Sequence, residues 1–165
     1  MLHTTLLSAH IAAGGAGLAL GPVAIAVPKR GAWHPRLVVA YQVVTAVMTL
    51  SALGLVAMAP ARLWPLGLVA AATEAAALGG WVVRRRHASG WRPRYIGLMC
   101  GSYVSFVTAA LVVNWASPLA WVLPTLIATP LIARAAKRAT RVTEAIDTAP
   151  AVRLPDQSGR RPPPR

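Results

Sequence analysis

The sequence predicts an all-α integral membrane bundle of five transmembrane helices, with the N-terminus outside and the C-terminus cytoplasmic. Three observations carry this. Uncharged apolar runs recur at spanning length, prolines bracket most of them, and the basic residues gather in alternate connectors. A chain of 165 residues is 56% hydrophobic and 13% charged, with 17 Lys plus Arg against 4 Asp plus Glu. No Asp, Glu, Lys or Arg occurs in residues 1–28, 37–61 or 95–133. A span needs roughly 20 apolar residues to cross about 30 Å of hydrocarbon.

The first span is placed at 5–27 and closed by Pro28. The second, 37–59, is closed by Pro60. The third, 63–83, has Pro65 in its first turn. The fourth, 95–114, is entered through Pro93. The fifth, 118–133, starts on Ser117 as an N-cap and Pro118 at the first helical position. Pro22, Pro124 and Pro130 fall inside spans, where a proline kinks a helix. Residues 1–134 form one transmembrane domain on this reading. Residues 135–165 form a basic, Pro-rich cytoplasmic tail, disordered beyond an extra helical turn because it has little apolar surface to bury. The leader "MLHTT" lacks the positive start of a secretory signal, so no cleaved signal is expected.

The net charge of +13 does not predict nucleic-acid binding. Lys29, Arg30 and Arg36 sit in one connector, and Arg84, Arg85, Arg86, Arg92 and Arg94 in another. Arg134, Lys137, Arg138 and Arg141 open the tail, while the other two connectors hold only Arg62. The alternation is the positive-inside pattern, which sets the orientation. Trp64 and Trp115 then fall at the outer boundary, Trp81 and Trp91 near the inner one. The expected partners are the lipid bilayer, with anionic headgroups at the basic connectors, and a membrane protein or further copies of the chain.

Small residues mark helix contacts, because close packing drives association in lipid. His10, Gly14, Gly17 and Gly21 share one face of the first span. Ala70, Glu74 and Ala77 share one on the third, and Gly97, Gly101, Ser105 and Ala109 one on the fourth.

Glu74 lies nine residues before the inner end of its span, about 13 Å deep at 1.5 Å per residue. Tyr103, Thr45 and Thr125 lie at similar depth, so these four are expected to form an intramembrane polar layer. A midplane carboxylate must face the bundle interior and be either partnered or neutral. Two roles follow: a proton-relay or substrate-binding acid, or a neutral carboxyl that cross-links helices. His10 and Asn114, both near the outer surface, suggest a polar mouth.

A transmembrane haem needs axial ligands on facing spans at matched depth. His10 and His34 are roughly 25 Å apart along a straight first helix, which argues against haem. No metal-ligand spacing of Cys and His appears. Nor does a phosphate loop, a nucleophile elbow or a carboxylate pair, so the sequence offers no enzyme motif and no predicted cofactor, and an enzyme is the weakest of the readings. Cys100 is the single cysteine and cannot form an intrachain disulfide.

The segments "HIAAGGAGLALGP", "KRGAWHPR", "YIGLMCGSYVSFVTAALVVN" and "WVLPTLIATPLI" occur in that order. Together they resemble a family of small polytopic bacterial membrane proteins, domain of unknown function number 2306. Residue by residue, the resemblance marks His10, Gly21, Pro22, His34, Ser102, Tyr103, Thr108 and Asn114. This chain has Tyr95 where many relatives carry a His before "IG", and Val38 where a Gly often follows the connector histidine. The departures weaken any metal or haem role for the connector histidines. The resemblance implies the bacterial cytoplasmic membrane as the location, and it supplies no activity. Two functions remain in view: a small accessory or scaffold-type membrane subunit, and a solute- or proton-handling module built on Glu74.

Overall fold

A computed structural model describes residues 1–28, 31–115 and 117–148. They form five helices: α1 (Leu2–Ala26), α2 (Trp33–Met58), α3 (Pro60–Arg86), α4 (Trp91–Asn114) and α5 (Leu119–Thr148). All five are long and apolar enough to cross a membrane. Four run past the apolar runs from which spans are read. Hydropathy marks where charges stop, whereas a helix continues as long as its backbone bonds can form, and Arg and Ala favour that. Arg84, Arg85 and Arg86 thus form the last turn of α3, where cations complement the partial negative charge of the helix end.

The connectors are correspondingly short. Ala59 alone separates α2 from α3, and its N–H bonds to the Val56 carbonyl. Pro60, expected to close the second span, instead opens α3 at its first position, where its missing N–H costs no helical bond. Between α3 and α4 the backbone turns through two left-handed residues, His87 at φ 47° and Gly90 at φ 68°. At the start of α5 the Ser117 hydroxyl accepts the Leu119 N–H at 3.3 Å, the expected cap bond.

The fifth helix departs most from expectation. It does not stop near residue 133 but runs through Arg134, Lys137, Arg138 and Arg141 to Thr148. Thirty residues span about 45 Å, longer than an apolar layer of about 30 Å. The basic half of α5 is therefore an extension of the helix and not the start of an unstructured tail. Residues 149–165, and with them most of the tail, lie outside the described residues, as do Lys29 and Arg30.

The helices pack as a ring. Contacts run α1 to α2, α2 to α3, α3 to α4, and α4 back to α1, with α5 resting on α4. Tyr41 of α2 reaches across the ring to α4, its ring 5.8 Å from that of Phe106. Ala13, Tyr41, Met48 and Phe106 form the core, flanked by Leu18, Val44, Met99 and Tyr103. Buried beside them are His34, Thr45, Thr49, Ser51, Thr73, Ser102 and Thr108. Large apolar side chains such as Leu50, Leu68, Val113 and Leu126 point outward. Polar inside and apolar outside is the distribution that hydrocarbon surroundings favour and water does not.

Glycines set the close approaches. A Cβ at Gly17 would overlap the Phe106 ring, and one at Gly21 the Tyr103 ring, so α1 and α4 touch through these two residues. Gly80 does the same between α3 and the Met99 sulfur. Gly14, Gly97 and Gly101 meet nothing within 4 Å, so the stripes read from spacing are only partly contact surfaces.

Candidate functional site

Glu74 is half-buried on α3 and is held by α2. Gln42 Nε2 donates to Glu74 Oε1 at 2.8 Å. Thr49, 3% exposed, lies beside the same carboxyl. Glu74 Oε2, Gln42 Oε1 and Thr49 Oγ1 are all buried within this group. Gln42, Thr45 and Thr49 occupy i, i+3 and i+7, a polar stripe along one face of α2. Buried polar atoms left without partners cost about 1–3 kcal/mol each, so in apolar surroundings these three side chains are best placed next to one another.

The expected layer of Glu74, Tyr103, Thr45 and Thr125 does not form. Glu74, Tyr103 and Thr45 each lie twelve residues from the same end of their helices, so they share a level along the bundle. Rotation about the helix axes separates them. Thr45 is fully buried but bonds back to the Tyr41 carbonyl at 2.7 Å. Tyr103 turns toward α1, where its hydroxyl donates to the Leu18 carbonyl at 3.3 Å. Thr125 is exposed on α5, away from the ring. Gln42 lies one turn from Thr45, and its longer side chain spans that step to the carboxyl.

The expected mouth of His10 and Asn114 does not form either. Asn114 is exposed, and its amide bonds the Ala110 carbonyl one turn back at 2.8 Å. His10 Nδ1 faces α2, 3.2 Å from the Met48 carbonyl and 3.3 Å from Ser51 Oγ. The Ser51 hydroxyl donates to that same carbonyl at 2.8 Å. Both groups around Nδ1 therefore accept, and the consistent tautomer carries its proton on Nδ1.

Three of the remaining marked positions form one joint. Gly21, Pro22 and Tyr103 act together. A carbonyl in a helix normally accepts the N–H four residues on; for Leu18 that residue is Pro22, which has none. The Tyr103 hydroxyl reaches that carbonyl, and the missing side chain of Gly21 makes room for its ring. Ser102 joins α4 to α2: Tyr41 donates to Ser102 Oγ at 3.0 Å, and Ser102 donates to the Met99 carbonyl at 2.9 Å. Thr108 is buried and bonds back to Val104 at 2.9 Å.

His34, 5% exposed at the start of α2, stands between two cavities at the basic end of the bundle. One, of about 130 Å³, is a mostly apolar cleft reaching Ala24, Val38, Tyr41, Met99 and Tyr103. The other, of about 270 Å³, is lined by Arg84, His87, Trp91 and Arg92. Both share His34, Tyr95 and Ile96.

Sequence reasoning missed Gln42, Thr49 and Ser51. A signal was present: a glutamine within an apolar run, followed by threonines at helical spacing. Among the described residues, no three His, Cys, Asp or Glu side chains gather as a metal site would require. Comparison with models of protein families, with curated proteins and with solved structures finds no match for this chain.

Proposed function

We propose that the chain is a small accessory or scaffold-type subunit of a bacterial cytoplasmic membrane, crossing it five times with the N-terminus outside. On this reading it is kin to the family of unknown function number 2306. One observation carries the proposal. The side chains best suited to chemistry are engaged in bonds that tie one helix to another: His10 to Met48, Tyr41 to Ser102, and Tyr103 to Leu18. Such ties between apolar helices hold a fixed shape. They contribute modestly, on average about 0.6 kcal/mol each in membrane proteins. The outward faces stay apolar, suited to lipid or to a larger membrane partner. Purification from native membranes in a mild detergent tests it. A larger membrane protein at fixed stoichiometry is the expected result; a homogeneous assembly of this chain alone would overturn it. Release of the chain from membranes by alkaline carbonate would overturn the membrane location itself.

A second reading has its own support in the Glu74 group. Gln42, Thr49 and Glu74 bring three buried polar atoms together between α2 and α3. An intramembrane acid among such atoms suits proton or solute handling. Reconstituted into vesicles under a proton gradient, the parent would then dissipate the gradient and Glu74→Gln would not. Equal leakage by both proteins would sink this reading.

A further inference from the structure

The cavities at the basic end are not used by either reading above. The wider one is cationic. Arg84, half-buried, has its guanidinium 6.0 Å from the centre of the Tyr95 ring. Arg92 lies 5.8 Å from the centre of the Trp91 ring. Among the described residues, no carboxylate lines this cavity. His87, Trp91 and Tyr95 form a ladder along it, with ring centres 4.9 Å and 6.1 Å apart. Tryptophan and tyrosine concentrate at the headgroup level of membranes. The narrower cavity adjoins this one, sharing His34, Tyr95 and Ile96 with it, and is walled mainly by apolar groups, Ala24, Val38 and Met99 among them. Its rim includes Ile25 and Ala135, both exposed, so it opens to the outside of the bundle.

A free anion would fill only the cationic cavity, and a hydrocarbon only the apolar one. An occupant that fills both carries a negative head joined to an apolar chain. We infer that one anionic phospholipid binds here, its phosphate between Arg84 and Arg92 and part of one acyl chain in the cleft between α1, α2 and α4. Arginine suits the head because its planar fork donates two hydrogen bonds to one phosphate. The arrangement is that of a basic pocket between spans at the headgroup level. The inference rests on the membrane location proposed above and is independent of any accessory role.

The test uses the full chain purified in detergent, with bound lipid counted by native mass spectrometry. Phosphatidylglycerol should be retained in preference to phosphatidylcholine. The double variant Arg84→Gln, Arg92→Gln should lower that retention about tenfold or more. Replacing Arg85 and Arg86 removes the same amount of charge from the same end of the bundle, at residues that do not line the cavity. Arg85→Gln, Arg86→Gln should therefore leave retention near that of the parent. Ala24→Trp fills the cleft and should reduce lipid retention at an unchanged melting temperature; if it aggregates, Ile25→Trp at the rim takes its place. Equal losses from the two arginine pairs would reduce the site to general surface charge and overturn the inference. So would equal retention of phosphatidylcholine, full retention by the tryptophan variant, or displacement of the lipid by excess inorganic phosphate. Failure of the membrane location would instead appear as carbonate release, before any lipid is added.

Discussion

The hydroxyl of Tyr103 donates to the backbone carbonyl that Pro22 leaves without its helical donor. The residue before that proline, Gly21, is the one whose missing side chain admits the tyrosine ring. A helix-breaking dipeptide on α1 and an aromatic on α4 thus form one joint. The proline exposes an acceptor, the glycine gives access, and the tyrosine occupies both. Small residues and satisfied backbone groups are what a proline inside a membrane helix requires.

The joint predicts non-additivity. Tyr103→Phe should destabilise the parent by about 1 kcal/mol, because the Leu18 carbonyl loses its partner. In a Pro22→Ala background the alanine N–H can serve that carbonyl, so Tyr103→Phe should cost little. Thermal unfolding of the four proteins in detergent measures the coupling. Equal effects in both backgrounds would show that Tyr103 does not act on this carbonyl.

Gly21 and Gly14 separate contact from composition. Both sit on the face read as a packing stripe, but only Gly21 meets a neighbour. Gly21→Ala should lower stability by about 1–3 kcal/mol through overpacking against Tyr103. Gly14→Ala should be neutral or stabilising by up to about 1 kcal/mol, since alanine is the better helix former. Gly80→Ala should fall between them, because the flexible Met99 side chain can yield. A loss of stability at Gly14 equal to that at Gly21 would contradict the packing described.

These residues also show what the sequence discloses and what it withholds. Helix number and level along each helix were legible, because charge and hydropathy vary along the helix axes. Glu74, Thr45 and Tyr103 share their expected level for that reason. Which neighbour each faces depends on rotation about its helix axis and on the order of helices around the ring. An alanine-rich helix that is apolar on every side, as α1 is, carries little information about rotation. The pairing of Gly21 and Pro22 with Tyr103 was accordingly not legible, and Gln42 was passed over. The continuation of α5 was hidden for another reason. Its last turns are basic, and hydropathy is silent on helices beyond the apolar layer.

Gln42 and Glu74 give a second coupled pair. Gln42→Leu leaves the carboxyl without its donor and should destabilise by about 1–3 kcal/mol. Glu74→Leu strands the amide and should act similarly. The double leucine variant removes both polar groups and should recover much of the loss, since apolar replacement of a whole buried pair is nearly neutral. Glu74→Gln keeps the shape and should melt near the parent. Additive losses in the double variant would mean that the two side chains do not interact.

The proposed orientation is tested at the turn between α3 and α4. Ala88 is exposed there, beside Arg84, Arg85, Arg86 and Arg92. Ser117, before α5, lies at the opposite end of the bundle, because α4 runs between the two turns. The native thiol of Cys100 is first removed as Cys100→Ser, so that each variant carries one reporter. With arginine-rich connectors held on the cytoplasmic side, an impermeant thiol reagent added to intact cells should label Ser117→Cys and not Ala88→Cys. Permeabilised cells should expose both. Labelling of Ala88→Cys from outside would invert the bundle and, with it, move the cationic cavity to the outer leaflet.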